Sequence, residues 1–260
     1  MAELAWNGMD DRLIRLGVLT PHTAPGPEAE FPIMAPGRIT IQVERVPADA
    51  AGITTSSGPP SLVAARRLTG RVLDKAADPL GSDSVDAIGY ASTSTAYLLG
   101  PDHEAAMVAR LRRRTGAPVA ATCAAAVLAL RVLNVQRVAL VAPPWFDAQL
   151  NELGAAYFRS QGLRVVSSAS ADLPSDPERI QPSAVYDWIS RYVDGDADAV
   201  FIGGNGFRSV EAIMPLEEAL GGPVLASNQV LLWSLLAQSG ATFEVRGFGR
   251  LFTLRLPVDG

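Results

Sequence analysis

Four consecutive hydroxyl residues, Ser92-Thr93-Ser94-Thr95, follow an apolar run that begins Asp86-Ala87-Ile88-Gly89-Tyr90. Side-chain donors between a buried strand and a helix, together with the backbone N–H groups of the helix start, suit an anion, above all a carboxylate or an enolate. N-capping would account for one such hydroxyl rather than four. A second turn, Gly203-Gly204-Asn205-Gly206-Phe207-Arg208-Ser209, follows the run Asp198-Ala199-Val200-Phe201-Ile202. Its glycines permit close backbone approach to a ligand or a left-handed turn, but lack the G-x-G-x-x-G spacing of a dinucleotide site. Arg208 either clamps a carboxylate through its guanidinium or lies on the surface. Cys123, the only cysteine, falls where a strand meets a helix. That position lowers a thiol pKa, although a lone cysteine among alanines is more often a small core residue. His22 lies in a Pro/Gly-rich loop and is a candidate acid, base or carboxylate ligand. His103 reads as a surface residue at a helix start. Two separated histidines and one cysteine support no metal site, no Ser-His-Asp arrangement and no internal disulfide.

These groups must be positioned by a chain that says the same thing twice. Each Asp-Ala-led run and turn is followed by a helical stretch and then a Gly-x-Pro-Val strand, once as Gly116-Ala117-Pro118-Val119 and again as Gly221-Gly222-Pro223-Val224. The repeat implies two similar α/β halves. Ligands in such sheets bind beyond the carboxyl ends of the strands, so both turns should face one cleft. Strands are expected at 15–20, 39–46, 119–122, 137–142 and 163–166, and a helix over 61–77. Residues 21–28, 48–60 and 167–182 carry the breakers of loops. The fold class is therefore α/β, doubly wound with mainly parallel sheets. The expected halves are residues 1–117 plus about 225–260, and 118–224.

The 260 residues suffice for a large core, with 48% hydrophobic and 19% charged. A formal net charge of −5 argues against nucleic acid as a partner. Arg112-Arg113-Arg114 reads as a solvated helix end. No apolar run approaches a membrane span, and the acidic, polar first residues do not read as a signal peptide, so a cytoplasmic location is the default expectation. A homo-oligomer is left open.

Taken together, the residues resemble the maleate isomerase and arylmalonate decarboxylase branch of the aspartate/glutamate racemase superfamily. The resemblance spans nearly the whole chain. It rests on Gly17-Val18-Leu19-Thr20-Pro21, Tyr90-Ala91-Ser92-Thr93-Ser94, Val138-Ala139-Leu140-Val141-Ala142-Pro143, Glu211-Ala212-Ile213, Ser227-Asn228-Gln229 and Gly247-Phe248-Gly249-Arg250-Leu251-Phe252. It implies two Rossmann-like halves related by a pseudo-twofold axis, an active site between them, no cofactor, and enolate-like intermediates. It also implies that Thr93 and Ser94 hold a substrate carboxylate.

The family's two cysteines, one from each half, correspond here to Ser92 and Gly204. Its early asparagine corresponds to Ala24, and a tyrosine after the 137–142 strand corresponds to Pro144, with Trp145 and Phe146 following. Racemisation by two cysteines is thereby excluded, and a serine hydroxyl cannot act unaided.

Three readings result. In the first, the chain is a cofactor-independent isomerase or decarboxylase acting on a small (di)carboxylic acid. Ser92, Cys123 and His22 are then the candidate catalytic groups, with Thr93, Ser94, Gly204, Asn205, Arg208 and Asn228 at the substrate. In the second, it is a noncatalytic carboxylate-binding protein. In the third, it is an α/β partner protein with a vestigial cleft. Tyr97, Trp145, Phe146 and Phe207 suggest room for more than a four-carbon acid.

Overall fold

The computed structural model describes residues 12–47, 61–81, 84–193 and 195–254. The first parallel sheet contains β1 (Ile14–Thr20), β2 (Ile39–Arg45), β3 (Ala87–Tyr90) and β4 (Val119–Ala121), in the order β2-β1-β3-β4. The second contains β5 (Arg137–Ala142), β6 (Arg164–Ser170), β7 (Ala199–Ile202) and β8 (Val224–Ala226), in the order β6-β5-β7-β8. Strand for strand, the second order repeats the first. The helices are α1 (Pro27–Met34), α2 (Leu62–Leu68), α3 (Arg71–Ala77), α4 (Thr93–Leu99), α5 (Pro101–Thr115), α6 (Thr122–Val132), α7 (Ala148–Ser160), α8 (Pro182–Tyr192), α9 (Ile213–Leu220) and α10 (Ser227–Gln238).

The inner strands β1, β3, β5 and β7 are largely apolar because both sheet faces are covered there, whereas the edge strands β2 and β6 carry polar residues and are only partly buried. Alternate residues enter different cores, as the pleat requires. Ala199 and Phe201 pack with Cys123, Leu130 and Phe158, whereas Val200 and Ile202 pack with Val185, Ile189, Ile213 and Leu216. Leu16 and Val18 join Phe31, Leu231 and Leu235, while Leu19 faces Leu73, Met107 and Leu111.

The Asp-Ala motif that leads each repeat is a strand clamp. Asp86 Oδ2 accepts the Arg15 N–H at 2.8 Å, and its Oδ1 pairs with the Arg15 guanidinium at 3.0 Å. Asp198 does the same for Arg137, at 2.8 and 2.9 Å. The arginine pairing and the accepted N–H groups hold both carboxyls below their usual pKa. Each aspartate joins the first strand of its half to the strand that carries a candidate turn.

Several local expectations change. The helix expected over 61–77 breaks at Thr69-Gly70 into α2 and α3. Helix α1 begins inside the expected loop, because Pro27 at the first helical position has the right fixed φ and needs no N–H partner. β6 runs on to Ser170, and Thr122 opens α6 rather than ending β4. β4, which the sequence division placed in the second half, completes the first sheet, while α10 packs back on β3, β4 and α6. The 48–60 loop lies outside the described residues. The arginine triplet does end α5, where Arg112 donates to Val119 O and Arg114 pairs with Asp78.

Candidate functional site

The pleated geometry of β3 and β7 delivers the two turns into direct contact. The Gly204 N–H donates to Thr93 Oγ1 at 3.1 Å. Ser92, at 0% exposure, is the N-cap of α4, and its Oγ accepts the Thr95 N–H at 3.4 Å. It also lies 2.8 Å from Thr95 Oγ1 and 3.4 Å from Ser94 Oγ. Thr95 Oγ1 in turn accepts the Tyr90 hydroxyl at 3.3 Å. Capping thus explains Ser92, and turn-to-turn bonding explains Thr93. Ser94, 1% exposed, makes only the long contact to Ser92 through its hydroxyl among the described residues.

The second turn has no room for a side chain at 204. Gly204 has φ +89°, and a Cβ there would lie 2.7 Å from Pro143 Cγ. Trp145 and Phe207 meet edge to face, with ring centroids 6.1 Å apart, and Phe207 is 1% exposed. Tyr97 and Phe146 likewise pack together in the core. The aromatics expected to leave room for a larger acid instead fill the interior.

Asn205 and Asn228 are tied into a buried network. Thr122 Oγ1 donates to Asn205 Oδ1 at 3.2 Å, and Asn205 Nδ2 donates to Asn228 Oδ1 at 2.9 Å. Asn228 Nδ2 donates to Asn205 O at 2.9 Å and to Glu30 Oε2 at 2.6 Å. Glu30 Oε1 accepts the N–H groups of Ser209 and Val210 at 2.6 and 2.9 Å. Burial pushes the Glu30 carboxyl up to about 7, although its donors and the nearby Arg208 charge pull downward. Arg208 Nη2 donates to Pro177 O at 3.3 Å, while its buried Nε makes no hydrogen bond. The amide groups of both asparagines therefore brace the second turn.

Gly26, just before α1, completes this bracing by close approach. A Cβ there would lie 2.0 Å from Asn205 O. Gly26→Ala is expected to cost about 3 kcal/mol by forcing the loop from the turn, read as a lower denaturant midpoint at unchanged slope. An unchanged midpoint would mean that this contact does not hold the turn.

Among the described residues, no hydrogen bond joins any two of His22, Ser92 and Cys123. Half-buried His22 has its pKa lowered to about 4, by burial first and then by Arg45, with Glu28 opposing. The His22 backbone N–H donates to Thr20 Oγ1 at 3.2 Å. Cys123, at 0% exposure, points its Sγ to Thr93 O at 3.9 Å. Burial, reinforced by Glu104, pushes the thiol well up, opposite to the activation expected at a helix start. Cys123 belongs to the core among Ala126, Leu130 and Phe158.

The residues missed from sequence are Glu30, Glu104 and Tyr90. Glu104 lies three residues before Met107 and seven before Leu111, on the buried stripe of α5, a placement visible in the sequence. A roomier groove of about 940 Å³, lined by residues including Trp233, Phe243 and Phe252, lies away from both turns and includes none of their residues. Among the described residues no group of three or more His, Cys, Asp or Glu could hold a metal, and no helix is long and apolar enough to cross a membrane.

Two parallel α/β sheets in the same strand order, with a hydroxyl turn of one touching a glycine turn of the other, define a two-half architecture in which the candidate turns meet. A family profile described as arylmalonate decarboxylase matches residues 65–252, and the chain belongs to that family. The arylmalonate decarboxylase of Bordetella bronchiseptica is 28% identical over 170 residues, which are 64% of this chain and 70% of that one. The maleate isomerase of Pseudomonas putida is 25% identical over 250 residues, 93% and 98% of the two chains. A Nocardia farcinica maleate cis-trans isomerase variant, solved with a covalently bound succinylcysteine intermediate, superposes with a TM-score of 0.79 at 22% identity. That alignment covers 93% of this chain and 98% of the other. These relatives are enzymes, an isomerase or a decarboxylase in each case.

Proposed function

We propose that the chain is an isomerase or decarboxylase that carries a small mono- or dicarboxylic acid through an enolate-type intermediate without a cofactor. The observation that supports this most is the Ser92–Thr95 hydroxyl turn, buried against Gly204 in a chain of this family. In this reading Ser94, together with Thr93, receives the carboxylate, and Ser92 stands at the reacting carbon. Hydroxyl donors fixed by surrounding hydrogen bonds stabilise developing enolate charge without reorganising. Asn205 and Asn228 hold the Gly204 turn in place, and Arg208 contributes positive potential near Glu30. Cys123 and His22 lie outside the reacting group.

The thiol adduct seen in the Nocardia protein has no counterpart at Ser92 or Gly204. Ser92 carries a hydroxyl, and Gly204 is enclosed by Pro143. Covalent addition to an alkene is therefore less suited to this site than protonation of an enolate, and decarboxylation of a substituted malonate is the better match. The same enclosure supports the second reading, a carboxylate-binding protein without turnover.

Binding separates both readings from a vestigial cleft. A small dicarboxylate at a hundredfold excess over Kd should stabilise the protein by about 2.7 kcal/mol. Ser94→Ala should remove most of that shift, measured as the change in Tm on adding malonate. An unchanged shift would remove the hydroxyl turn from the site. Carbon dioxide release from an arylmalonate would then distinguish enzyme from binder.

A further inference from the structure

A serine hydroxyl needs a partner to exchange protons with, and the structure supplies a path to one. Ser92 Oγ accepts from the Thr95 N–H and lies 2.8 Å from Thr95 Oγ1, a contact in which either hydroxyl can donate, and Thr95 Oγ1 also accepts the Tyr90 hydroxyl. A hydroxyl has one hydrogen and two lone pairs. The chain Tyr90 to Thr95 to Ser92 can therefore be polarised toward Ser92, with the Thr95 hydrogen directed at Ser92 Oγ and the Ser92 hydrogen left to donate onward.

Behind Tyr90 and Thr95 lies a small void of about 10 Å³, lined also by Thr69, His103, Glu104 and Met107. That is close to the size one water needs. Glu104 is 3% exposed, and its Oε1 makes no hydrogen bond. Its Oε2 accepts the Tyr157 hydroxyl from α7. Half-buried His103 reaches the void from the outer side and contacts Thr69 Oγ1 through Nε2 at 2.9 Å.

We propose that Glu104 is the proton reservoir of the site, feeding Ser92 through one water in this void, Tyr90 and Thr95. The proposal rests on the reading of Ser92 as the group at the reacting carbon. When the substrate's C–C bond breaks, its electron pair passes into the enolate and carbon dioxide leaves. The enolate carbon takes the Ser92 proton. Thr95 reloads Ser92, Tyr90 reloads Thr95, the water reloads Tyr90, and Glu104 reloads the water. Each hydroxyl gains one proton and passes one on, so only Glu104 changes charge. It recovers its proton from solvent past His103, and the turnover consumes one proton, as decarboxylation to a monoacid requires.

The surroundings suit that role. Burial raises the Glu104 carboxyl to about 7, with the Tyr157 hydroxyl and the Cys123 and Ala124 N–H groups opposing. The titratable groups that face it are Tyr90 on β3, Tyr97 on α4, Cys123 on α6, Tyr157 on α7 and His103 on its own helix. Burial keeps Tyr90, Tyr97, Cys123 and Tyr157 protonated near neutrality and His103 neutral. Glu104 is therefore the group in this cluster that changes charge near pH 7.

The test combines two near-isosteric variants, Glu104→Gln and Tyr90→Phe, with arylmalonate turnover followed across about pH 5 to 9. Each variant should lower kcat by roughly 10²-fold. The wild-type kcat should fall as pH rises through about 7, and Glu104→Gln should lose that limb. Tyr157→Phe, which removes a hydrogen bond favouring the charged form, should move the limb to higher pH, a shift that mere packing would not produce. If Ser92→Ala abolishes turnover while Glu104→Gln and Tyr90→Phe keep wild-type kcat and pH profile, the relay is wrong and the site reading stands. If Ser92→Ala turns over normally, the site reading itself fails.

A second readout needs no turnover. The infrared band of the protonated Glu104 carboxyl, assigned by its loss in Glu104→Gln, should shift in Tyr90→Phe. An identical band and titration midpoint in that variant would overturn the connection through the void.

Discussion

Ser92→Ala is expected to lower kcat by roughly 10²- to 10⁴-fold, the usual worth of a positioned general acid, while dicarboxylate stabilisation survives. The two effects separate because the hydroxyls of Ser94 and Thr93, which hold the carboxylate in this account, are untouched. Loss of the Ser92 cap should cost about 1 kcal/mol of stability, too little to unfold a domain of this size. Ser92→Cys is the informative companion. A thiol is a stronger acid than a hydroxyl and differs little in size, so turnover should be retained there. Steady-state kinetics and thermal melts on the same preparations check both. Equal kcat in Ser92→Ala and wild type would take Ser92 out of the chemistry.

Glu30→Ala should be the most destabilising change near the site. Its carboxyl accepts the Ser209 and Val210 N–H groups and the Asn228 amide, all buried. Stranding three buried donors at about 1–3 kcal/mol each approaches the whole stability of a typical domain, about 5–15 kcal/mol. The conservative Glu30→Gln isolates the charge. Because burial raises the Glu30 carboxyl from 4.5 to about 7, the folded state holds that proton more tightly than the unfolded chain. The resulting stabilisation is full below pH 4.5 and is lost as pH rises through about 7, up to about 3 kcal/mol.

Glu104 has the same sign, whereas His22 has the opposite one. With its pKa lowered from 6.5 to about 4, His22 contributes above pH 6.5 and loses its contribution as pH falls toward 4. Glu217 adds to the carboxyls and His103 to the imidazoles, and the two carboxyls raised to about 7 dominate, so the urea midpoint should fall between about pH 5 and about pH 8. Glu30→Gln should flatten much of that slope. A midpoint that rises across the window would contradict neutral burial of both carboxyls.

The doubled architecture was legible because its signals are local. The 137–142 run is apolar without alternation, as a strand covered on both faces must be, and the Asp-Ala leads recur because the same clamp is built twice. Half of the candidate site was legible for the same reason, since Ser92-Thr93-Ser94-Thr95 is contiguous. Position 104 was missed although its carboxylate stands in register with Met107 and Leu111 on the buried stripe of α5. Glu30 was hidden by Pro25-Gly26-Pro27, whose breakers suggested a loop where Pro27 in fact opens α1. The roles of Asn205, Asn228 and Thr122 were not readable. Their partners come from α6, the β7 turn, α10 and α1, and only tertiary packing brings them together. Cys123 misled because a thiol at a helix start is activated only where solvent or cations reach it. Here it meets alanines and a carboxyl.

The most direct measurement is a proton NMR time course of the protein with an arylmalonate, an alkylmalonate and maleate in deuterated water. The account predicts loss of carbon dioxide from a malonate with one deuterium entering next to the remaining carboxylate, at a rate abolished by Ser92→Ala. No decarboxylation, isomerisation or deuterium entry with any of the three, while dicarboxylates still raise the Tm, would contradict enolate chemistry and leave a carboxylate-binding protein on an enzyme's fold.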